Sequence, residues 1–485
     1  MRARKRLWLL MAVLSMEAFF FADARLPGLT ATPKTRRHVL LLTVDTLRAD
    51  YVSAYGYEQR TTPFVDSVMA QGFRFTRART PIPRTTPALS SLMTGCYPHT
   101  NGVRRLTDRL PPQIFPMAAL ARSKGYVTVA VVSNKILQRR GLSRGFDIYD
   151  GSDYARDAAA TTDAVLRALH GHAADESLFV WAHYFGPHIP YYPPLELAVQ
   201  FDPDYDGPYK LHFGDYADPN DGHPRDLPTP LLIYRNPLPN RVNAHIRRLY
   251  AADIRNTDDH IGRLIRGLRE RFGDDWLIVF TADHGESLGE QNYFFEHGDY
   301  VYDSTLRVPL AFVFPEGDPL HGSGVIDAQV SLVDVMPTFV DLLRLPRPLF
   351  LGYPIEGRSL APYFRAESLP PRPVFAECGR SFFPQEVRRR VRFDVSGRLR
   401  AVVLGDWKLI WTPGRRGDDQ FELYNLATDP GETKDVYTSN REAAAPLETA
   451  LMGWLKRAEE DPPAVQQAAL APKDMEILRS LGYIR

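Results

Sequence analysis

The stretch HVLLLTVD, residues 38–45, is a short apolar run with β-branched residues that ends on an aspartate. Such a run reads as a strand buried on both faces. Four more stretches share its character: VTVAVVS (127–133), LFVWAHYF (178–185), WLIVFTAD (276–283) and PLAFVFP (309–315). Between them lie TPFVDSVMAQGF (62–73), DAAATTDAVLRALHGH (157–172) and RRLYAADIRNTDDHIGRLIRGLRERF (247–272), where apolar residues recur at three- and four-residue spacing. That alternation predicts an α/β fold, a sheet covered by helices on both faces. In such sheets the working polar residues gather beyond the carboxyl ends of the strands. Asp45, His183, Asp283 and His284 all stand at or near such ends.

Composition bounds the rest. The 485 residues are 44% hydrophobic and 24% charged, enough for one large core with an appendage. Lys+Arg of 59 against Asp+Glu of 58 leaves a formal charge of +1, so no global field draws nucleic acid, and any anion must be bound locally. Arg2, Arg4, Lys5 and Arg6 precede an apolar run, and Ala22 and Ala24 supply small residues after it, which predicts an export signal over 1–24. Periplasmic or secreted localisation follows, with a membrane tether if the segment is retained. Two cysteines, Cys96 and Cys378, make no disulfide framework, and the sequence does not say whether they pair.

The polar residues are then read for chemistry. Asp45, Asp283 and His284 would bring carboxylate oxygens and an imidazole together, a donor set that suits Ca²⁺, Mg²⁺, Mn²⁺ or Zn²⁺. Taken singly, a strand-end aspartate is a turn or cap residue; the joint occurrence points to a metal. His188 in HYFGPHIPYYPP and His297 in FFEHGDY are placed to position or protonate an anionic ester. In PRTTPALSSLMTGCYPHTNGV (83–103) a helix starts around Pro87 and stops at Gly95, so Thr85 or Thr86 is expected to cap it. The positive end of that helix would also stabilise an anion beside an activated hydroxyl.

Six blocks in order carry a resemblance: LLTVDTLRADYVSAYGYEQRTTPFVDSVMAQG, RTTPALSSLMTGCYPHTNGV, HYFGPHIPYYPP, TADHGESLGE, FFEHGDYVYDSTLRVPL and FELYNLATDPGETKDV. Together they resemble the sulfatase family of the alkaline phosphatase superfamily. The resemblance implies an alkaline-phosphatase-like central mixed sheet sandwiched by helices, with a small C-terminal α+β subdomain. The boundaries are then a signal or anchor at 1–24, a catalytic domain at 37–365 with a loop-rich insertion at 193–245, a small-sheet subdomain at 373–460 and a tail at 461–485.

By the family's motif, whose cysteine becomes formylglycine, Thr85 falls at the nucleophile, Ala88 at the motif serine, Leu89 at the arginine and Met93 at the leucine. Cys96 fails the register, so formylglycine is not expected. Asp45, Asp283 and His284 match metal ligands, with Thr85 approaching the same ion, and Thr46 stands where the family often has a second aspartate. His188 matches a histidine that contacts the transferred group. His297 falls, one residue out of register, near a lysine position upstream of Arg307, and Ser133, Asn134 and Lys135 surround another. Leu89 in place of the arginine and the altered lysine contacts favour a singly charged phosphate diester or phosphonate monoester over a doubly ionised headgroup, and threonine, which cannot shed its ester by collapsing to an aldehyde, favours phosphoryl over sulfate transfer. The implied activity is hydrolysis of a sulfate, phosphate or phosphonate ester on a small-molecule, glycan or lipid substrate. A phosphoethanolamine-type headgroup transferase and a non-catalytic anion- or glycan-binding homologue are the alternatives.

Overall fold

The computed structural model describes residues 38–138, 140–152, 155–213, 238–345, 354–378, 398–413, 419–460 and 466–467. The expected export signal, residues 214–237 of the insertion and the tail other than 466–467 lie outside the described residues.

All five stretches expected to be buried strands are strands of one sheet. In chain order its members are β1 (His38–Val44), β2 (Phe73–Arg79), β3 (Val127–Val132), β4 (Ile148–Asp150), β5 (Leu178–Tyr184), β6 (Trp276–Ala282), β7 (Leu310–Val313) and β8 (Gly324–Ser331). They lie side by side as β8-β2-β7-β6-β1-β5-β3-β4. β7 runs antiparallel to both its neighbours, while the pairings of β1, β5, β6, β3, β4 and of β8 with β2 are parallel, so the sheet is mixed. β1, β5 and β6 are buried at every position, as continuous apolar runs at the middle of a covered sheet must be.

β2 is the strand whose pattern misleads. Its sequence FRFTRAR follows the helical stretch directly and carries three arginines, yet it pairs with β7 and β8 and buries Phe75 and Ala78.

Helix α1 (Pro63–Met69), α2 (Thr85–Thr94), α3 (Ala158–Ala168), α4 (Leu195–Phe201), α5 (Asn240–Phe272) and α6 (Val335–Leu342) cover the sheet. α5 packs with α1, α3 and α4, whereas α2 packs with α6, giving two helical layers. α3 begins with Asp157 as N-cap, its carboxylate accepting from the Ala160 N–H, and α5 ends at Gly273 in a positive-φ conformation. The stretch 193–245 therefore contains α4 and the first turn and a half of α5.

The C-terminal region forms its own antiparallel sheet of β9 (Val374–Glu377), β10 (Arg400–Leu404), β11 (Trp407–Thr412) and β12 (Gln420–Asn425) in that order. Helix α7 (Arg441–Glu460) lies on it, with Leu447, Leu451 and Trp454 packed against Phe375, Val402 and Leu409. A buried ionic cluster joins this sheet to the main one. Arg79 at the end of β2 donates to both oxygens of Asp303, Lys408 of β11 donates to Asp303 at 2.9 Å and reaches Glu432 at 2.7 Å, and the Asp303 N–H donates to Glu432. Cys96 and Cys378 are both free and buried, which answers the pairing question. Among the described residues no helix is long and apolar enough to cross a membrane.

Candidate active site and metal centre

Register places the first two site residues. Val44 of β1 lies opposite Ala282 of β6 and Tyr184 of β5, so Asp45 and Asp283 leave adjacent strand ends side by side. The Asp45 N–H donates to the Tyr184 carbonyl at 2.9 Å, which extends the ladder one residue past the strand. Thr46 then turns sharply, with φ of 56°, a left-handed conformation that a β-branched residue adopts only under strain. Its N–H donates to Asp283 Oδ1 at 3.2 Å, and its carbonyl accepts from the Tyr250 hydroxyl of α5 at 2.7 Å. Strand register and the long helix together hold the turn.

Asp45, Asp283 and His284 converge, each offering a donor atom within 4.8 Å of the others, and all three are buried. The His284 Nδ1–H donates to the Gly285 carbonyl at 2.9 Å, so its Nε2 presents a lone pair to the cluster, 3.7 Å from Asp45 Oδ1 and 3.4 Å from Asp283 Oδ2. Both Asp45 oxygens, Asp283 Oδ2 and the Thr46 hydroxyl are buried without a hydrogen-bond partner. Three unpartnered carboxylate oxygens of Asp45 and Asp283 beside one imidazole lone pair call for a cation. Burial, and for Asp45 the negative charge of Glu286 and for Asp283 that of Asp45, push both carboxyls well above the usual carboxylate range. The donor set therefore fits a divalent metal: Asp45, Asp283 and His284 would hold it, with Thr46 alongside.

Thr85 meets this cluster from the other side. Its hydroxyl lies 3.3 Å from His284 Nε2 and donates to that lone pair. The helix bearing it starts earlier than the expectation of a threonine cap allows: Arg84 is the N-cap, with extended backbone and no side-chain cap bond, while Thr85, Thr86 and Pro87 are the first three helical residues. Pro87 is accommodated because the first-turn N–H groups have no helical partner. The Thr85 hydroxyl is thereby directed at the metal cluster instead of at its own backbone. Thr86 makes no hydrogen bond to the cluster among the described residues. Leu89 and Met93 are fully buried in the apolar core, and Gly95 ends the helix at φ of 70°. Cys96 lies past the far end of α2, roughly 15 Å along the helix from Thr85 by its rise per residue. Its sulfur is enclosed by the Thr94 and Pro354 carbonyls, and burial pushes its thiol up, away from reactivity.

His188 and His297 complete the group. Their ring centroids are 5.1 Å apart, and His297 is 4.4 Å from His284. His188 Nδ1–H donates to the Ile189 carbonyl at 2.5 Å, and His297 Nδ1–H to Glu286 Oε1 at 3.0 Å. Each therefore carries its lone pair on Nε2. Burial lowers His188 to about 3, with the neighbouring His297 adding to the effect, and burial followed by the Arg84 charge lowers His297. Of the six residues expected at the site, Asp45, Thr85, Asp283, His284 and His297 are thus brought together by close contacts, and His188 meets His297 edge-on.

Two participants escape sequence reasoning. Glu286 sits fully buried behind His297 and fixes its tautomer. Arg84 places its guanidinium over Gly298, where a side chain would come within 2.3 Å of it, and 3.6 Å from Asp299. Gly298 has φ of 98°, so only glycine suits both the conformation and the approach. Arg84 acts electrostatically on both His284 and His297, which brings a cation to the site that Leu89 cannot supply. Arg307 does not do this, since it donates to the Thr76 carbonyl at 3.0 Å, and Asn134 caps its own turn by accepting from the Ile136 N–H.

Comparison with known proteins agrees with this architecture. The chain is 24% identical over 490 residues to an uncharacterized sulfatase of Escherichia coli (strain K12), with 90% of each chain covered. Its fold is similar to that of the phosphonate monoester hydrolase of Agrobacterium radiobacter, with a TM-score of 0.67, 22% identity and coverage of 90% of this chain and 99% of that one. It is also similar, with a TM-score of 0.68, 19% identity and coverage of 88% and 98%, to a protein solved with its substrate D-glucosamine-2-N,6-O-disulfate. The sulfatase family model matches residues 37–345, and the chain belongs to the sulfatase family, as an ester hydrolase of the alkaline phosphatase superfamily.

Proposed function

We propose that this protein is an exported, metal-dependent hydrolase in which Thr85 is the nucleophile, and that it prefers phosphate diesters or phosphonate monoesters to sulfate esters. One observation carries the reading: the Thr85 hydroxyl points at His284 Nε2 from the start of a ten-residue helix, beside the convergent Asp45 and Asp283 carboxylates.

A divalent cation held by Asp45, Asp283 and His284 supplies Lewis acidity that lowers the cost of ionising the hydroxyl and offsets charge on the ester. The chain's residues do the rest. Thr85 oxygen forms a bond to the central atom as the bond to the leaving oxygen breaks. The threonine proton passes to the leaving alcohol by way of an Nε2 lone pair, on His188 or His297, each held in that tautomer by its Nδ1 contact. Water then cleaves the Thr85 ester, returning the hydroxyl and releasing the acid. The amino end of α2 and Arg84 stabilise the non-bridging oxygens. A singly charged ester matches one nearby arginine with Leu89 buried in the core, and threonine favours phosphorus for want of an aldehyde to collapse to.

The substrate preference is tested by kcat/KM on an aryl sulfate, a phosphate monoester, a phosphate diester and a phosphonate monoester, with Thr85→Ala as control. Thr85-dependent turnover led by the diester or phosphonate supports the reading. Preference for the aryl sulfate overturns the choice of phosphorus, and undiminished turnover by the alanine variant overturns the nucleophile.

A further inference from the structure

Two histidines near the strand ends, His188 and His284, tie Nδ1 to a carbonyl oxygen, which can only accept, and must carry the proton on Nδ1. His297 ties its Nδ1 to Glu286. His183 differs. Its Nδ1 lies 2.9 Å from the Thr43 hydroxyl, and that hydroxyl already accepts from the Trp181 indole N–H at 2.9 Å. Thr43, Trp181 and His183 are all fully buried, so no water is at hand to take the threonine proton. With one lone pair engaged by Trp181, the hydroxyl finds its acceptor in His183 Nδ1, which leaves the imidazole proton on Nε2. Nε2 faces Asp45 Oδ2 at 3.8 Å. Neither atom has a hydrogen-bond partner of its own, and the opposite tautomer would set a nitrogen lone pair against the carboxylate.

We propose that Trp181, Thr43 and His183 form a relay that fixes the His183 proton on Nε2, facing Asp45 Oδ2 across 3.8 Å, and makes His183 a positioning residue that orients this carboxylate electrostatically for the metal where Thr46 leaves the site one aspartate short. The inference rests on the metal reading above. The relay is built by register: Thr43 of β1 pairs with His183 of β5 in parallel strands, and Trp181 lies two residues back on the same face of β5. Donors that hold a ligating group in place typically change metal affinity by about 10- to 100-fold when removed.

The test reads binding and tautomer separately. Mn²⁺ affinity of the full chain is measured by the EPR signal of the free ion, and the His183 tautomer by ¹⁵N NMR of the histidine-labelled chain loaded with diamagnetic Mg²⁺, in which Asp45 is ionised. Thr43→Val keeps the shape but removes the hydroxyl, and is expected to weaken Mn²⁺ binding about tenfold; Thr43→Ser restores the hydroxyl and the affinity. His183→Gln, which keeps a donor near Nε2, is expected to bind more tightly than His183→Leu. An Nε2–H signal for His183 supports the relay. An Nδ1–H signal, or equal Mn²⁺ affinity in Thr43→Val and Thr43→Ser, overturns it while leaving the metal centre standing. No Mn²⁺ binding by the parent chain overturns the metal reading, and the inference with it.

Discussion

Thr85 and Thr86 are neighbours with the same chemistry, and only the helix start separates their roles. Because Arg84 takes the cap position, Thr85 falls on the first helical residue with its hydroxyl toward His284, 3.3 Å away. Thr85→Ala should lower kcat by roughly 10³-fold or more with unfolding unchanged, as removal of a nucleophile does, while Thr86→Ala should retain activity within a few fold; steady-state kinetics on both variants checks this. Cys96→Ser should be silent, since the thiol is enclosed by two carbonyls well away from the cluster. A dead Cys96→Ser variant of normal stability would place the nucleophile there instead. Arg84→Gln should lower kcat by about 10²-fold, the scale seen when a preorganised oxyanion donor is lost. His297 would then titrate higher in the pH–rate profile, because the Arg84 charge adds to the burial that holds it down.

The apolar strands were legible in the sequence because β1, β5 and β6 are buried on both faces and need no alternation to be recognised. Asp45, Asp283 and His284 were legible for the same reason, as the ionisable residues that close such runs. β2 was not, because Arg74 and Arg77 are partly exposed near a sheet edge, Arg79 is buried only through its pairing with Asp303, and its first residue doubles as the end of a helical pattern. Arg84 and the relay through Thr43 were not legible either, because their roles depend on contacts between segments well over a hundred residues apart in sequence, and Glu286 meets His297, 11 residues on, only because the chain between them folds back on itself. The C-terminal sheet docks through the Asp303 cluster, and this is where element-scale energetics can be measured. Lys408 is fully buried between Asp303 and Glu432. Lys408→Met should destabilise the chain by about 3 kcal/mol by leaving Glu432 an uncompensated buried charge, and adding Glu432→Leu should recover much of the loss. Denaturant titration of the single and double variants decides; additive losses would mean the cluster is not a coupled unit.

On the scale of the whole molecule, the buried acidic centre links metal, pH and stability. Asp45 and Asp283 have carboxyls raised above the ordinary range, so the metal-free native chain binds more protons there than the unfolded chain does. Their contribution to stability is fully present below the ordinary carboxylate value and is lost as pH rises through the raised values. A divalent ion requires both groups deprotonated and reverses this, so the thermal stabilisation produced by metal should grow as pH rises above the ordinary carboxylate range. At a hundredfold excess over Kd the gain is about 2.7 kcal/mol. Melting curves with and without metal, in the parent chain and Asp45→Asn, check this: a gain independent of pH, or kept in the variant, would place the ion elsewhere. The central claim about the reaction is that the chain's own threonine takes the group from the ester. Acid-quenching the metal-loaded enzyme during turnover of an aryl phosphonate, followed by peptide mass mapping, tests it most directly. A phosphonyl adduct on Thr85, absent from Thr85→Ala, is the expected result; an adduct on another residue, or steady turnover by Thr85→Ala with no adduct at all, would contradict it.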